Sequence, residues 1–322
     1  MSKAADREIA DVAVVIPTYN DKHFLIQALA SVAKQTIKPR QVIVVDDGSR
    51  ESPAEDLAAF PYVTLITIPN QGLATARNVG LAAADTDFIV FLDADDLLES
   101  KALEFGLECF DANPDAAVVY GAYQMIDGEL RDYGHPIYRK MGRDAGTAIM
   151  YKNQIGAHAA VMYRRSALQA CGGFDPAFRY CEDYELYIRI AQEFPIAHHP
   201  NLIARYRMHG QNMSNDLPRM LEWHLAALRK NEPGSDASEA LMQAWRNGLK
   251  RASREYAFRA WMENSPHFRT RWRNRLYMAR MNPVATFPAI AKAAVWIITP
   301  VAVRNMAYRI LRGQEVVKPA NE

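Results

Sequence analysis

The segment FIVFLDADD, residues 88–96, decides the fold class. Its first five residues are apolar and mostly bulky, which is typical of a short strand buried on both faces. Three aspartates follow within four positions, so the predicted strand ends in an acidic turn. A strand with two buried faces needs helices on both sides of its sheet. The segment therefore favours an α/β fold with a mostly parallel sheet.

Two segments nearer the N-terminus repeat this arrangement. Apolar runs at 12–16 and 41–45 predict buried strands, and polar residues follow each of them directly. Apolar spacing predicts helices at 21–35 and 73–84, with another strand at 63–68. Ligands of such sheets bind beyond the carboxyl ends of the strands. The sequence thus predicts a Rossmann-like sheet flanked by helices, with a binding site at its carboxyl edge. The alternative is that the polar residues form ordinary solvated turns.

The acidic turn supplies two carboxylates, from Asp93 and Asp95. Manganese and magnesium ions prefer oxygen ligands, and one or two carboxylates commonly hold them together with substrate phosphates. Such a cation neutralises the charge of a departing diphosphate. The alternative is that the acids stabilise the N-terminus of a following helix, an interpretation that could explain Asp96.

Six segments, in order along the chain, resemble the motifs of the family 2 glycosyltransferases. They are VVIPTYN (14–20), VIVVDDGS (42–49), NQGLATARN (70–78), FLDADD (91–96), GGFD (172–175) running into Glu182-Asp183, and YRMHGQNMS (206–214). The resemblance implies a GT-A fold and an inverting glycosyltransferase, which moves a sugar from a nucleotide-diphosphate sugar to an acceptor hydroxyl. UDP is the most frequent nucleotide in this family, and GDP and dTDP remain alternatives.

The resemblance also implies roles for the acidic residues. Asp183 is the expected catalytic base, which takes the acceptor proton, and its neighbour Glu182 points elsewhere on the helix. Asp95 is the expected metal ligand, with Asp93 near the ribose or a metal-bound water. His209 is a candidate third contact to the metal or the diphosphate. The alternatives are a helix-capping acid for Asp183 and a structural histidine for His209.

The motifs that follow the first two strands imply a nucleobase pocket. Its expected members are Pro17, Thr18, Tyr19 and Asp47. A carboxylate can accept from a base N–H and a tyrosine ring can cover the base. Asp46 is the alternative to Asp47. The resemblance places Arg77 near the base or the phosphates, whereas a solvated helix residue is the alternative interpretation.

The chain divides into a predicted catalytic domain at 11–215 and a helical C-terminal extension at 216–322. The catalytic domain has a nucleotide-sugar half at 11–98 and an acceptor half at 99–215. Within the extension, the arginines at 269–280 are interleaved with Trp272, Leu276 and Tyr277, and a mostly apolar stretch follows at 283–303. This pattern suits an amphipathic segment lying on an anionic membrane face. The candidate membrane-contact segment is 266–312. The alternative is a helical extension that packs on the catalytic domain or on a partner subunit.

Composition excludes other classes of protein. The 38 Lys and Arg against 37 Asp and Glu give a net charge of +1, so we expect no nucleic-acid partner. Three cysteines without paired spacing argue against a disulfide framework. With no signal peptide in the first ten residues, we expect a cytoplasmic protein, which the extension could hold at the inner face of the plasma membrane. His198 and His199 are interpreted as surface or loop residues.

Two further functions remain as alternatives. A sugar nucleotidyltransferase would carry a glycine-rich basic loop after the first strand, but this position reads PTYND at 17–21. A catalytically inactive relative could bind a nucleotide-sugar or a partner without turnover. The acceptor is expected to be a carbohydrate or a lipid-linked molecule, as in the assembly of surface polysaccharides or glycolipids.

Overall fold

The computed structural model describes residues 9–210 and 212–262, together with Leu276, Ala279 and Arg280. Nine strands and nine α-helices lie in this described part. The strands are β1 Ile9–Thr18, β2 Lys38–Asp46, β3 Val63–Thr67, β4 Phe88–Phe91, β5 Leu97–Leu98, β6 Val118–Ile126, β7 Asp132–Ile137, β8 Val161–Arg164 and β9 Ile196–Arg207. The helices are α1 Lys22–Ala33, α2 Ala54–Leu57, α3 Leu73–Ala83, α4 Ala102–Ala112, α5 Ala145–Tyr151, α6 Arg165–Ala170, α7 Glu182–Glu193, α8 Leu217–Lys230 and α9 Glu239–Met262.

The N-terminal half forms the predicted parallel sheet, in the order β3-β2-β1-β4. Val14 of β1 lies between Val42 of β2 and Val90 of β4. The four predicted strands and the two predicted helices are confirmed, and their ends lie within three residues of the predicted ones. The apolar runs of β1, β2 and β4 predict these strands correctly because both of their faces are buried, whereas β3, at the end of the sheet, is only partly buried.

The same sheet continues as β8-β6-β9-β5, with β7 paired to β6 beside this path. Here the directions are mixed, because β8 runs antiparallel to both β4 and β6, and β5 runs antiparallel to β9. Among the described strands, four pairings are parallel and four are antiparallel. The α/β prediction is confirmed, and the parallel arrangement dominates in its N-terminal half.

Two layers of helices cover the sheet. Val14 and Ile16 of β1 belong to the apolar core that contains Leu29 of α1. Val15, one residue away on the opposite face, belongs to the core that contains Leu81 of α3. Burying each such aliphatic side chain contributes about 1.5–3 kcal/mol. The sheet is therefore held rigidly from both sides, and its loops extend from a fixed edge.

The described part of the C-terminal extension is helical, as predicted. Leu221 of α8 and Tyr256 of α9 share a small apolar core. Leu228 of α8 and Ala244 of α9 join the main core of the sheet. Within the described residues no helix is both long and apolar enough to cross a bilayer. The segment 266–312, for which membrane contact is predicted, lies outside the described residues apart from the three named above.

The two neighbouring histidines and the three cysteines can be compared with what the sequence predicts for them. His198 and His199 were expected on the surface or in a loop, and this expectation is wrong. Both lie in β9, and only 9% of His199 is exposed, with its ring 6.1 Å from that of Phe105. All three cysteines are free in this structure.

Candidate active site

The strands β1, β2, β4, β6 and β9 have their carboxyl ends at one edge of the sheet. The strands β1, β2 and β4 are parallel, and β6 is parallel to β4 because both are antiparallel to β8. The strand β9 is parallel to β6 and therefore ends at the same edge. Six of the nine predicted site residues, all except Pro17, Arg77 and Asp183, lie in the chain segments at the ends of β1, β2, β4 and β9. These segments are 18–20, 46–49, 92–96 and 208–212.

The loops that follow β1 and β2 brace each other. The N–H of Asp47 donates to the carbonyl of Thr18 at 2.9 Å. The N–H of Asn20, which has a φ of +59°, donates to Ser49 Oγ at 2.8 Å. Thr18 is buried, whereas 46% of Tyr19 is exposed. Its ring is therefore accessible for stacking against a base.

Pro17 precedes this pair inside β1, opposite Val45 of β2. Pro17 is buried, so its place is in the sheet beneath the loop. Asp46, the alternative to Asp47, is 1% exposed and accepts from the N–H of Ser49 at 3.0 Å. Its carboxylate is thus enclosed within its own turn.

The Asp47 carboxylate fixes the start of α3. Its two oxygens accept from the N–H groups of Gln71 and Gly72, each at 2.8 Å. Gly72 has a φ of +94°, a conformation that a side chain would oppose. Each carboxylate oxygen can accept more than one hydrogen bond. The expected contact of Asp47 with a nucleobase stays a prediction.

Arg77 is the central cation of the site. It lies on α3 and is 1% exposed, so the interpretation as a solvated helix residue is wrong. Its Nη2 donates to Asp93 Oδ1 at 2.6 Å, and its Nη1 donates to Glu182 Oε1 at 2.5 Å. The guanidinium also lies 5.3 Å from the centre of the Phe174 ring. Burial opposes the charge, but Asp93 and Glu182 outweigh it and raise the pKa of Arg77.

One guanidinium thus joins two carboxylates that lie 16 and 105 residues from Arg77 in sequence. Asp93 belongs to the acidic turn after β4, and Glu182 is the first residue of α7. The guanidinium is a rigid fork whose two terminal nitrogens each bind a different carboxylate, whereas a lysine would have to reach both from a single nitrogen. Burial raises the pKa of Asp93, and Asp95 raises it further, while Arg77 lowers it.

Asp95 and His209 lie together, as the predicted metal ligands require. His209 Nε2 is 2.9 Å from Asp95 Oδ2, and both side chains are partly exposed. The imidazole also stacks on the ring of Phe24 in α1, with the ring centres 5.2 Å apart. The metal role of these two residues stays a prediction.

No three His, Cys, Asp or Glu side chains converge closely enough to hold an ion unaided in the described part of the chain. A magnesium or manganese site does not need three such groups, because substrate phosphates and water usually complete its shell. Asp95 is a hard oxygen donor with 25% of its side chain exposed, and Asp93 has 27% exposed. These residues fit a cation that binds together with a phosphorylated substrate.

Arg207 is a site residue that sequence reasoning missed. It is fully buried and lies 4.7 Å above the ring of Phe24. Its Nε donates to the carbonyl of Asp95 at 2.7 Å, and its backbone N–H donates to Asp96 Oδ1 at 2.9 Å. No helix follows Asp96 directly, so the helix-stabilising interpretation is wrong. The segment 206–214 carries one of the family motifs, but the resemblance assigns a role only to its histidine.

The predicted base lies at the start of α7. Asp183 is half-buried, next to the buried Glu182 that pairs with Arg77. Burial and the Glu182 charge raise the pKa of the Asp183 carboxyl to about 7. The carboxylate accepts from the N–H of Tyr184 at 2.7 Å. A carboxyl with a pKa near neutrality is well suited to accept and release protons.

The glycine turn before α7 packs on α3. Gly172 and Gly173 have φ values of +75° and +70°. Phe174, which follows Gly173, is bound by the Asn78 side chain of α3 through two hydrogen bonds. Asn78 accepts from the N–H of Phe174 at 2.9 Å and donates to the carbonyl of Phe174 at 2.7 Å. The turn therefore connects the donor side of the crevice with the segment that leads to Asp183.

A family model and a characterised relative are similar to this chain in sequence. The sequence model of glycosyl transferase family 2 matches residues 13–172. The chondroitin synthase of Escherichia coli is 28% identical over 222 residues, which are 66% of this chain and 31% of that protein. The chain thus spans about a third of the length of this relative.

Comparison with solved structures bears on the fold. Staphylococcus aureus TarS 1-349 in complex with UDP-GlcNAc has a TM-score of 0.62 at 19% identity, covering 94% of this chain and 89% of that one. The mannosyltransferase PcManGT from Pyrobaculum calidifontis, in complex with GDP-Man and Mn2+, has a TM-score of 0.62 at 16% identity, covering 97% and 88%. At these identities the likeness concerns the fold alone, and the predicted GT-A fold is confirmed.

Proposed function

The chain belongs to glycosyl transferase family 2, and we propose that it moves a sugar, with inversion, from a nucleotide-diphosphate sugar to an acceptor hydroxyl. One observation carries this proposal. Arg77 ties Asp93, in the acidic turn, to Glu182, whose neighbour Asp183 is the proposed base. The groups that we assign to binding a diphosphate and to taking a proton therefore lie close together.

The proposed base is Asp183. An attacking hydroxyl must lose its proton as its oxygen bonds to the anomeric carbon, and a carboxylate within hydrogen-bond reach accelerates this transfer. With a pKa of about 7, Asp183 is ionised at mildly alkaline pH and holds a proton more firmly than an ordinary aspartate. Attack opposite the leaving diphosphate inverts the anomeric centre in a single step.

The proposed donor pocket lies at the loops after β1 and β2. Tyr19 covers the base, and Asp47 accepts one of its N–H groups, with Pro17 and Thr18 forming the floor. We propose UDP as the nucleotide, with support from the UDP-GlcNAc bound to TarS. PcManGT holds GDP-Man, so the panel of donors to be tested includes GDP-sugars.

The residues that would hold a divalent cation are Asp95 and Asp93, with His209 as a further contact. A bound manganese or magnesium ion would neutralise the charge of the leaving diphosphate. Arg207 holds the backbone of this turn through the Asp95 carbonyl, so the carboxylates stay in place before the donor binds. The Mn2+ in PcManGT supports this assignment.

The acceptor is proposed to be a carbohydrate or lipid-linked molecule of surface polysaccharide or glycolipid assembly. We place the catalytic domain at 11–215 and assign membrane contact, at the cytoplasmic face of the plasma membrane, to 266–312 in the extension. Deleting 266–322 should then lower recovery of the folded protein with vesicles that contain anionic lipids. Equal recovery of the full chain and the truncated chain would favour packing on protein instead.

Calorimetric titration with UDP, GDP and dTDP, each with and without Mn²⁺, tests the proposed function. We expect one nucleotide to bind, with an affinity that depends on the metal. Asp95→Ala should abolish the metal dependence. Asp85→Ala is the matched control, since Asp85 is exposed and precedes β4 at the opposite edge of the sheet.

The corresponding UDP-, GDP- or dTDP-sugars are then tested for release of the nucleotide. Turnover separates an active transferase from an inactive relative that only binds the donor. A chain that binds none of the three nucleotides with metal present would contradict the proposal.

A further inference from the structure

The helix that carries Asp183 begins with a strained residue. Cys181, directly before α7, has a φ of +57° and a ψ of +25°, the left-handed region that non-glycine residues rarely adopt. Its side chain does not cap the helix. Such a conformation persists only when the surrounding structure imposes it. Other parts of the molecule must therefore hold the start of α7.

One face of α8 contacts the chain on both sides of Asp183. The spacing of the four α8 residues, i, i+1, i+4 and i+5, places them on a single helical face. The contacts are Arg219 with Tyr180 Oη at 3.2 Å, the Met220 carbonyl with Cys181 Sγ at 3.6 Å, the Trp223 ring with the Phe178 ring at 5.3 Å, and the His224 ring with the Tyr184 ring at 4.5 Å. The strained residue itself is thus in contact with α8.

The last residue of α8 adds two ion pairs. Lys230 Nζ lies 2.7 Å from Asp175 Oδ2 and 2.7 Å from Glu185 Oε1. Asp175 precedes the proposed base in sequence and Glu185 follows it, so the two pairs bracket Asp183. Glu185 is fully buried and also pairs with Arg189. Its charge therefore keeps a partner if Lys230 is replaced.

We propose that α8 is a clamp that sets the position of Asp183, with Lys230 and His224 as positioning residues for the transfer. This inference rests on the proposed role of Asp183 as the base. The clamp touches 175–185 and makes none of the contacts described above for Asp47, Asp95 or His209. Weakening it should therefore slow turnover and leave donor binding unchanged.

The clamp also makes α8 and α9 part of the catalytic unit. The His224 ring lies 5.7 Å from the Tyr256 ring of α9. The two helices also share the small apolar core that contains Tyr256. The proposed boundary between the catalytic domain and the extension, at residue 216, thus separates the base from the helix that holds it. A chain ended at 215 should retain the donor loops and lose the ordered start of α7.

Lys230→Met in the full chain is the first test, with Lys230→Arg as the conservative variant. Lys101→Met is the matched control, because Lys101 forms an exposed ion pair with Glu104. We expect Lys230→Met to lower kcat for nucleotide release about tenfold, with the donor Kd changed less than about twofold. Lys230→Arg should restore most of the turnover, since its fork can bind both carboxylates.

Two structural readouts accompany the kinetics. Amide hydrogen exchange over 178–187 should accelerate in Lys230→Met, and the buried Cys181 thiol should react faster with a maleimide. His224→Ala, which removes the ring contact with Tyr184, should give the same pattern independently. Melting curves confirm that each variant is folded before it is compared.

The outcomes separate the clamp from the proposed function. Unchanged kcat and exchange in both folded variants would overturn the clamp, as would a lower kcat without faster exchange in 178–187. Faster exchange with full turnover would show that α8 orders the segment without serving the reaction, and would also overturn the proposal. Failure of the unaltered chain to bind or turn over any donor would contradict the proposed function instead, while exchange still reports on the contacts.

Discussion

The donor side and the base side of the crevice are built in different ways. On the donor side, Asp47 and Asp95 lie one to four residues beyond strands whose order and register are fixed by buried parallel pairing. On the base side, Asp183 lies on a helix that follows a strained residue and is held by α8. The donor side is therefore a property of the sheet itself, and the base side depends on distant parts of the chain.

Arg77 is the contact through which these two sides meet. It donates to Asp93 on the donor side and to Glu182 on the base side, and its side chain is 1% exposed. The difference between the two sides implies that a change on one of them should leave the other intact. A change at Arg77 should affect both.

Arg77→Lys tests this link and should have the largest effect. Asp93 and Glu182 are held by separate nitrogens of Arg77, so we expect a lysine, with its single nitrogen, to keep one of these contacts and leave the other carboxylate without its partner. Breaking a buried pair in this way costs about 3–5 kcal/mol of the free energy of unfolding. Urea unfolding measures this loss, and calorimetry and turnover should show that donor binding and catalysis fall together.

Arg205→Lys is the matched control for this prediction. Arg205 also joins two carboxylates, Glu99 and Asp132, but 30% of its side chain is exposed. Exposed pairs contribute about 0–1 kcal/mol, so this variant should lose little stability. Equal losses in the free energy of unfolding of the two variants would mean that burial does not make the Arg77 ion pairs more important for stability.

Asp183→Asn isolates the base side. The amide keeps the shape of the carboxyl group but cannot take the acceptor proton. Turnover should fall by a factor on the order of 100 or more, because general base catalysis contributes about that much. Calorimetry should give a donor Kd close to that of the unaltered chain, and Asp85→Asn serves as the exposed control.

Asp95→Ala should show the opposite pattern, with loss of metal-dependent donor binding. This pair of variants tests the division between the two sides. Normal turnover in Asp183→Asn would refute the assignment of the base. Loss of donor binding in the same variant would show that the two sides are not independent.

The difference between the donor side and the base side also explains which features could be predicted from the sequence. The strands and their polar ends are local patterns, so the sheet edge and the acids at 93–96 could be inferred from short segments. The family resemblance indicates Arg77 but not its two partners, because Glu182 is 105 residues away in sequence. Arg207 lay inside a noticed segment, and its contacts with Asp95 and Gln27 depend on folding across 112 and 180 residues.

The base side left weaker signals in the sequence. Nothing local indicates that Cys181 adopts a positive φ, since glycine or asparagine is the usual residue there. The four α8 contacts become visible only when α7 and α8 are placed side by side. His199 was misjudged for a related reason, because a polar residue in a sheet of mixed direction can face the core. Long-range packing is therefore what sequence patterns missed.

The expected effect that is most specific to the base side is on the pH profile. Because the folded pKa of Asp183 is raised to about 7, the carboxyl takes up its proton as the pH falls through that value. A protonated carboxyl cannot act as a base, so kcat should fall about tenfold per pH unit below pH 7 and level off above it. An ordinary aspartate would stay ionised down to about pH 4. The residual turnover of Asp183→Asn should lack this inflection, since the amide does not titrate.

Lys230→Met should shift the inflection if the clamp sets how deeply Asp183 is buried, because burial is the largest cause of its raised pKa. A profile that stays level from pH 5 to 9 in the unaltered chain, measured with saturating donor, would assign proton removal to another group and would reduce α7 to a structural element.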